Sequence, residues 1–180
     1  MTERHYKTLE WFHIVGYGKG SCVSASIDAV LERHSVPTIV HIQQGMSFRS
    51  LMRAGQRGER IDSCDWFINS IIRVNRAAGN MINKKSISSY LLNTTNKLER
   101  TIEQCRSQGK RMLVAVEEDH LVGLKVKPRK EWRQTWGGLE KYQLVGPLDQ
   151  YDRIGHDLSS GQLLRRLIHT SPNLYSFPER

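Results

Sequence analysis

Cys22 is the residue of this sequence whose type and surroundings best suit covalent chemistry. It follows a glycine-rich turn containing Gly16, Gly18 and Gly20, and it falls in the first turn of a predicted helix over residues 22–34. The unpaired backbone N–H groups and the positive dipole end of a helix start favour a thiolate. The same N–H groups can hold an oxyanion. Cysteine is also among the most buried residue types, so Cys22 is either a nucleophile or a small core residue.

A thiol nucleophile needs a base, usually a histidine that folding brings close to it. The chain has seven histidines, and His120 stands out among them. It follows an acidic turn at residues 117–119 and opens a predicted strand over residues 120–126 that runs antiparallel to a strand over 111–116. A histidine held by a sheet in this way can face the start of the Cys22 helix. The alternative is a strand histidine with a purely structural hydrogen bond.

The elements that must position this pair change in character near residue 110. Apolar spacing and caps predict that the first hundred residues are mostly helical, and that four strands of an antiparallel meander follow. The fold class is therefore α+β, with a helical N-terminal half packed on a C-terminal antiparallel sheet. Residues 1–170 are predicted to form one domain and residues 171–180 a C-terminal tail with two prolines. The predicted helices cover 22–34, 48–54, 64–78, 86–92, 95–107 and 162–169, and the strands cover 111–116, 120–126, 131–135 and 140–145.

Composition and charge limit the classes of partner and compartment. The net charge is +9 in 180 residues, which attracts an acidic protein, an anionic lipid or nucleic acid. No apolar run is long enough for a transmembrane helix, and the polar N-terminus lacks the apolar segment of a signal peptide. The three cysteines are widely spaced and odd in number, so at least one is unpaired. We therefore expect reduced thiols and a cytoplasmic protein, either of the producer or of a host cell.

The order of these parts resembles the papain-like cysteine peptidase fold, particularly its compact bacteriocin-processing, Josephin and effector-protease members. The shared order is a cysteine at a helix start, a helical stretch, a strand, and a strand that opens with histidine and apolar residues. Another strand that ends near an acid and a closing helix complete it. The segments that carry the resemblance are residues 20–22, 95–109, 111–116, 119–124, 142–147 and 160–169.

The resemblance implies roles for three residues of this chain. Cys22 would attack a carbonyl carbon to form an acyl-enzyme, and His120 would take the thiol proton and later protonate the leaving group. The third residue, which orients the imidazole, often directly precedes a proline, but here that position is Gly146. Asp149 is the next acid and takes the role, with Glu140, Asp119 and Asp152 as alternatives. The resemblance implies no metal or organic cofactor and a protein or peptide substrate.

A second departure from the family pattern lies upstream of the cysteine. The glutamine or asparagine that often completes the oxyanion hole is replaced by glycine at 16 and 18, so the Cys22 N–H, helped by His13 or Lys19, would have to serve. The chain could then be a catalytically silent papain-like module that binds protein.

A different class of function, nucleic-acid binding, is indicated by Trp132 and Trp136. Both tryptophans lie in a basic segment, and they could stack on bases beside phosphate-binding charge. The remaining thiols, Cys64 and Cys105, lie on predicted apolar helix faces and are expected in the core.

Overall fold

The computed structural model describes residues 21–32, 65–116, 120–146, 157–167 and 172–180. Four α-helices and eight strands lie within these ranges. The helices are α1 (Ser21–Leu31), α2 (Asp65–Ala77), α3 (Thr95–Ser107) and α4 (Ser160–Arg166). The strands are β1 (Ser88–Leu91), β2 (Lys110–Val116), β3 (His120–Val126), β4 (Arg133–Thr135), β5 (Gly138–Glu140), β6 (Tyr142–Val145), β7 (Asp157–Leu158) and β8 (Asn173–Pro178).

Six of the strands form one antiparallel sheet, in the order β1-β8-β2-β3-β6-β7. Strand β2 pairs with β3 through Val114↔Val122 and with β8 through Leu113↔Tyr175. Strands β4 and β5 pair only with each other and form a separate hairpin between β3 and β6. The predicted meander is confirmed for β2, β3 and β6.

Helices cover both faces of the sheet. Helices α1 and α2 pack on the face that carries Leu113, Ala115 and Leu121, whereas α3 and α4 pack on the face that carries Val114 and Val122. Because both faces are covered, β2 is an unbroken run of buried residues from Met112 to Val116 instead of alternating with polar ones. The described residues thus form three layers, helix on sheet on helix, within the α+β class.

Local signals set the helix ends where the prediction succeeds. Thr94 caps α3 by accepting a hydrogen bond from the Lys97 N–H at 3.1 Å, and Ser159 and Gln162 form a reciprocal capping box at α4. Gly109 follows the C-terminal cap of α3 and adopts a left-handed conformation with φ +71°, which ends the helix. Helix α1 ends at Leu31, three residues before the predicted end, because Glu32 adopts a left-handed conformation with φ +54°.

The predicted tail is wrong for most of its length. Residues Asn173–Pro178 form β8, which lies inside the sheet between β1 and β2. Leu174, Tyr175 and Phe177 are completely buried. The two prolines misled the prediction, since Pro172 precedes the strand and Pro178 ends it.

Two further predictions need correction. Residues 86–92 were expected to be helical, yet Ser88–Leu91 is a strand whose pairing with β8 outweighs its ambiguous local sequence. The sheet therefore does not belong to the C-terminal half alone. The third and fourth predicted strands were 131–135 and 140–145. In the structure, residues 133–140 belong to the β4–β5 hairpin, and only Tyr142–Val145 joins the six-stranded sheet. The helix predicted over 48–54 lies outside the described residues.

Candidate functional site

Helix α1 lies very close to the sheet because Gly123 of β3 has no side chain. A Cβ atom at this position would lie 2.3 Å from Val30 Cγ1 and 2.8 Å from Val145 Cγ2. The helix is buried on nearly every described side, and its residues Val23, Ser26, Ile27 and Asp28 are at most 2% exposed. A glycine inside a strand often marks such an approach of another element, and this is the signal that sequence reasoning missed.

Two contacts fix the direction of α1 along the sheet. Beyond its C-terminal end, the Glu32 carboxylate pairs with Lys125 Nζ at 3.0 Å, near the end of β3. Ser26 lies one turn before Val30 in α1. Its Cα would lie 3.6 Å from a Cβ atom added to Gly146, the residue that follows β6. Because Val145 pairs with Gly123 in antiparallel register, Gly146 lies toward the beginning of β3. Helix α1 therefore runs in the same direction as β3.

This direction brings the starts of α1 and β3 to the same end of the sheet. From Val30 back to Cys22 the helix covers about 12 Å at 1.5 Å per residue. From Gly123 back to His120 the strand covers about 10 Å at roughly 3.3 Å per residue. From their contact at Gly123, the helix and the strand therefore extend toward the same end of the sheet over similar distances. The backbone positions of Cys22 and His120 consequently share one end of the sheet, which we call the dyad end.

Strand β6 also reaches the dyad end, at Gly146. Asp149, predicted as the third catalytic residue, follows three positions later and lies outside the described residues. The alternatives Asp119 and Asp152 also lie outside them. Glu140 can be placed, and this alternative is wrong. Its carboxylate lies 3.4 Å from Arg133 NH2 in the hairpin, and the following strand starts at Tyr142 opposite Val126, about 20 Å along β3 from His120.

Cys22 lies in the first turn of α1, as predicted, where backbone N–H groups have no intrahelical acceptor. Within the described ranges, His120 is the only histidine. His13 and Lys19, predicted as helpers of the oxyanion hole, lie outside the described residues. No group of residues in the described ranges could hold a metal ion through histidine, cysteine, aspartate or glutamate side chains.

Cys105 is a core thiol, as predicted. It is 1% exposed on α3, which packs on the sheet face opposite α1. Burial raises the pKa of the Cys105 thiol, and the nearby Ser176 hydroxyl opposes this increase only in part. A buried thiol with a raised pKa is chemically inert near neutrality. Cys64 lies outside the described residues.

The two tryptophans of the basic segment differ in their surroundings. Trp132 is partly buried, and its indole N–H donates to the Lys127 carbonyl at 2.7 Å. Arg129 and Lys141 lie 5.2 and 5.4 Å from its ring centroid and cover the ring with cation–π contacts. Trp136, in the turn of the hairpin, is fully exposed. Of the two tryptophans predicted to stack on bases, only Trp136 therefore has an exposed ring.

A cavity of about 290 Å³ lies at the opposite end of the sheet from the dyad end. Its lining includes four cations, of which three are already paired. Arg106 pairs with Glu103, Arg111 with Glu179 and Lys125 with Glu32, so most of the positive charge around the cavity is neutralised within the protein. The hydrogen bond from Arg106 lowers the pKa of the Glu103 carboxyl, as expected for such a pair.

The chain matches no family model, no curated protein and no solved structure. In the part of the chain that the structure describes, every helix is too short or too polar to cross a bilayer.

Proposed function

We propose that this protein is a papain-like thiol hydrolase that cleaves a peptide, isopeptide or amide bond through Cys22 and His120. The observation that carries the proposal is the parallel course of α1 and β3. It brings the helix start that bears Cys22 and the strand start that bears His120 to one end of the sheet. The close contact of α1 with Gly123 supports it, because a helix held this tightly gives its first turn a fixed position.

The proposed chemistry follows from these two positions. His120 removes the proton from the Cys22 thiol, and the thiolate attacks the carbonyl carbon of the substrate. N–H groups in the first turn of α1 stabilise the resulting oxyanion. His120 then protonates the leaving amine as the C–N bond breaks, which leaves a thioester on Cys22. Water hydrolyses the thioester and restores the thiol. Asp149 is proposed to orient the imidazole from the loop after β6.

The proposal includes a protein or peptide substrate and no metal or organic cofactor. We also infer a cytoplasmic location, of the producer or of a host cell, because the cytosol keeps cysteine thiols reduced. The thioester is an intermediate of proteases, deamidases and acyltransferases alike, and we propose hydrolysis as the step that discharges it.

The rate of thiol alkylation tests the catalytic pair. We expect iodoacetamide at neutral pH to modify Cys22 at least tenfold faster than Cys105, whose burial and raised pKa make it an internal reference. Peptide mass spectrometry assigns the label to each cysteine. The His120→Ala variant should lose the fast phase at Cys22, because the thiolate is no longer stabilised by an adjacent imidazolium. The Cys22→Ala variant has no thiol at this position and should show no fast labelling at either remaining cysteine.

A second histidine substitution provides the matched control. His34→Ala changes a histidine two residues after Glu32, whose carboxylate pairs with Lys125 at the opposite end of the sheet, and should leave the labelling rate of Cys22 unchanged. Circular dichroism checks that each variant is folded. If Cys22 in His120→Ala reacts at the wild-type rate, His120 is not the base. If wild-type Cys22 reacts no faster than Cys105, the enzyme proposal fails.

A further inference from the structure

The β4–β5 hairpin exposes an apolar tip. Trp136 lies in its turn with a relative exposure of 107%, and Leu139 on β5 is 36% exposed. A tryptophan buries more apolar area than almost any other side chain when it finds a partner. Full exposure of such a ring at a turn therefore favours a partner outside the described part of the chain.

The tip is held firmly despite this exposure. The Ser159 hydroxyl, which also caps α4, donates to the Gly137 carbonyl at 2.6 Å, and the Gly137 N–H donates to Thr135 Oγ1 at 3.3 Å. A Cβ atom at Gly137 would lie 2.2 Å from Gln162 Nε2, so the turn rests directly on the start of α4. Because the turn is already anchored, its backbone has little conformational entropy left to lose when Trp136 binds a partner.

Cations lie beside the base of the hairpin. Residues 125–141 contain six lysines and arginines but only two carboxylates. Lys127 pairs with Asp157 at 2.5 Å, and Lys141 lies 3.8 Å from Glu99. Arg129 and Lys130 are exposed just before the hairpin, and Arg133, which is also exposed, pairs with Glu140 at 3.4 Å at the base of the hairpin. The hairpin is therefore apolar at its tip and positive beside its base, and an anionic partner complements it.

We propose that this hairpin docks on an anionic membrane surface, with Trp136 at the level of the lipid headgroups and the neighbouring cations on the lipid phosphates. Tryptophan prefers the membrane interface, and each lysine or arginine near an anionic leaflet adds attraction. A single-stranded nucleic acid needs successive aromatic platforms along a positive groove. Here the second ring, Trp132, is covered by Arg129 and Lys141, so the hairpin offers a point of insertion and no track for bases.

Cosedimentation of the full chain with vesicles tests the proposal. We expect binding to phosphatidylcholine vesicles that contain phosphatidylserine, and at least tenfold weaker binding to phosphatidylcholine alone. Trp136→Ala should weaken binding to the anionic vesicles about tenfold, because most of the interfacial apolar burial is lost. Lys130→Glu should weaken it several-fold. Trp136 fluorescence, obtained by subtracting the Trp136→Phe spectrum, should shift to the blue and be quenched by brominated lipid.

Lys97→Glu is the matched control, since it makes the same charge change at an exposed position on α3. It should reduce binding less than Lys130→Glu. Equal vesicle binding by wild type and Trp136→Ala would overturn the proposal. So would equal losses in the two lysine variants, which would indicate attraction by net charge alone. Binding of single-stranded oligothymidine that depends on Trp136, without binding to the anionic vesicles, would assign the hairpin to nucleic acid instead.

Discussion

Gly123 shows how one residue determines the relation between α1 and the sheet. Its lack of a side chain allows Val30 and Val145 to fill the space beside β3. Protein interiors are packed too densely to absorb an added methyl group at such a position without movement. The identity of this residue therefore decides how close α1 comes to β3 at Val30.

We expect Gly123→Ala to lower the free energy of unfolding by about 1–3 kcal/mol through overpacking. Gly161→Ala is the matched control, because a Cβ there would meet nothing within 4 Å and alanine favours the helix by about 0.5–1 kcal/mol. Urea unfolding measures both variants. Adding Val30→Ala to Gly123→Ala should make the two effects non-additive, since the smaller side chain frees the clashing volume. Equal stability of Gly123→Ala and Gly161→Ala would disprove the packing contact.

At the scale of elements, the helices and strands set by short-range sequence signals were predicted, whereas those that depend on long-range strand pairing were missed. The boundaries of α3 were predicted correctly, because its cap, apolar face and terminal glycine all lie within the helix or next to it. Strand β3 was also predicted with its observed bounds from its apolar residues and the turn before it. Strands β1 and β8 were missed because they become strands only by pairing with segments far away in the sequence, β1 with β8 and β8 with both β1 and β2. The contact of α1 with Gly123 was missed for the same reason.

Asn80 joins α2 to the end of β8, and this link makes a prediction about elements. Its side-chain amide donates to Asn75 Oδ1 at 2.7 Å and to the Pro178 carbonyl at 3.0 Å, and its Oδ1 accepts from the Arg180 N–H. Asn80→Ala leaves one buried group and two partly buried groups without this partner. We expect the free energy of unfolding to fall by about 1–3 kcal/mol.

Asn83→Ala is the control for this prediction, because Asn83 lies in the same connection but is exposed and only caps a single short turn. Its substitution should cost about 1 kcal/mol or less. Chemical denaturation of the two variants side by side separates the contributions. A cost for Asn80→Ala no larger than that for Asn83→Ala would show that the link does not hold β8 in the sheet.

At the scale of the whole molecule, the sheet depends on the end of the chain. Strand β8 lies between β1 and β2, and it contributes Tyr175 and Phe177 to the core beneath α1 and α2 and Leu174 to the core beneath α3 and α4. Both cores therefore include residues from the last ten positions. The catalytic proposal depends on this indirectly, because β2 supports β3 and β3 supports α1.

We expect deletion of residues 171–180 to abolish cooperative unfolding, whereas removal of a true tail would have little effect. Substituting a buried phenylalanine or leucine by alanine costs about 2–5 kcal/mol, and the native state of a domain is stable by only about 5–15 kcal/mol. Phe177→Ala, a milder variant, should remain folded and lose about 3–5 kcal/mol, while Met81→Ala, at a residue 60% exposed, should change stability by no more than about 0.5 kcal/mol. Thermal melts followed by circular dichroism measure all three. A wild-type transition in the deletion variant would contradict the central position of β8, and with it the support of β3 and α1 at the dyad end.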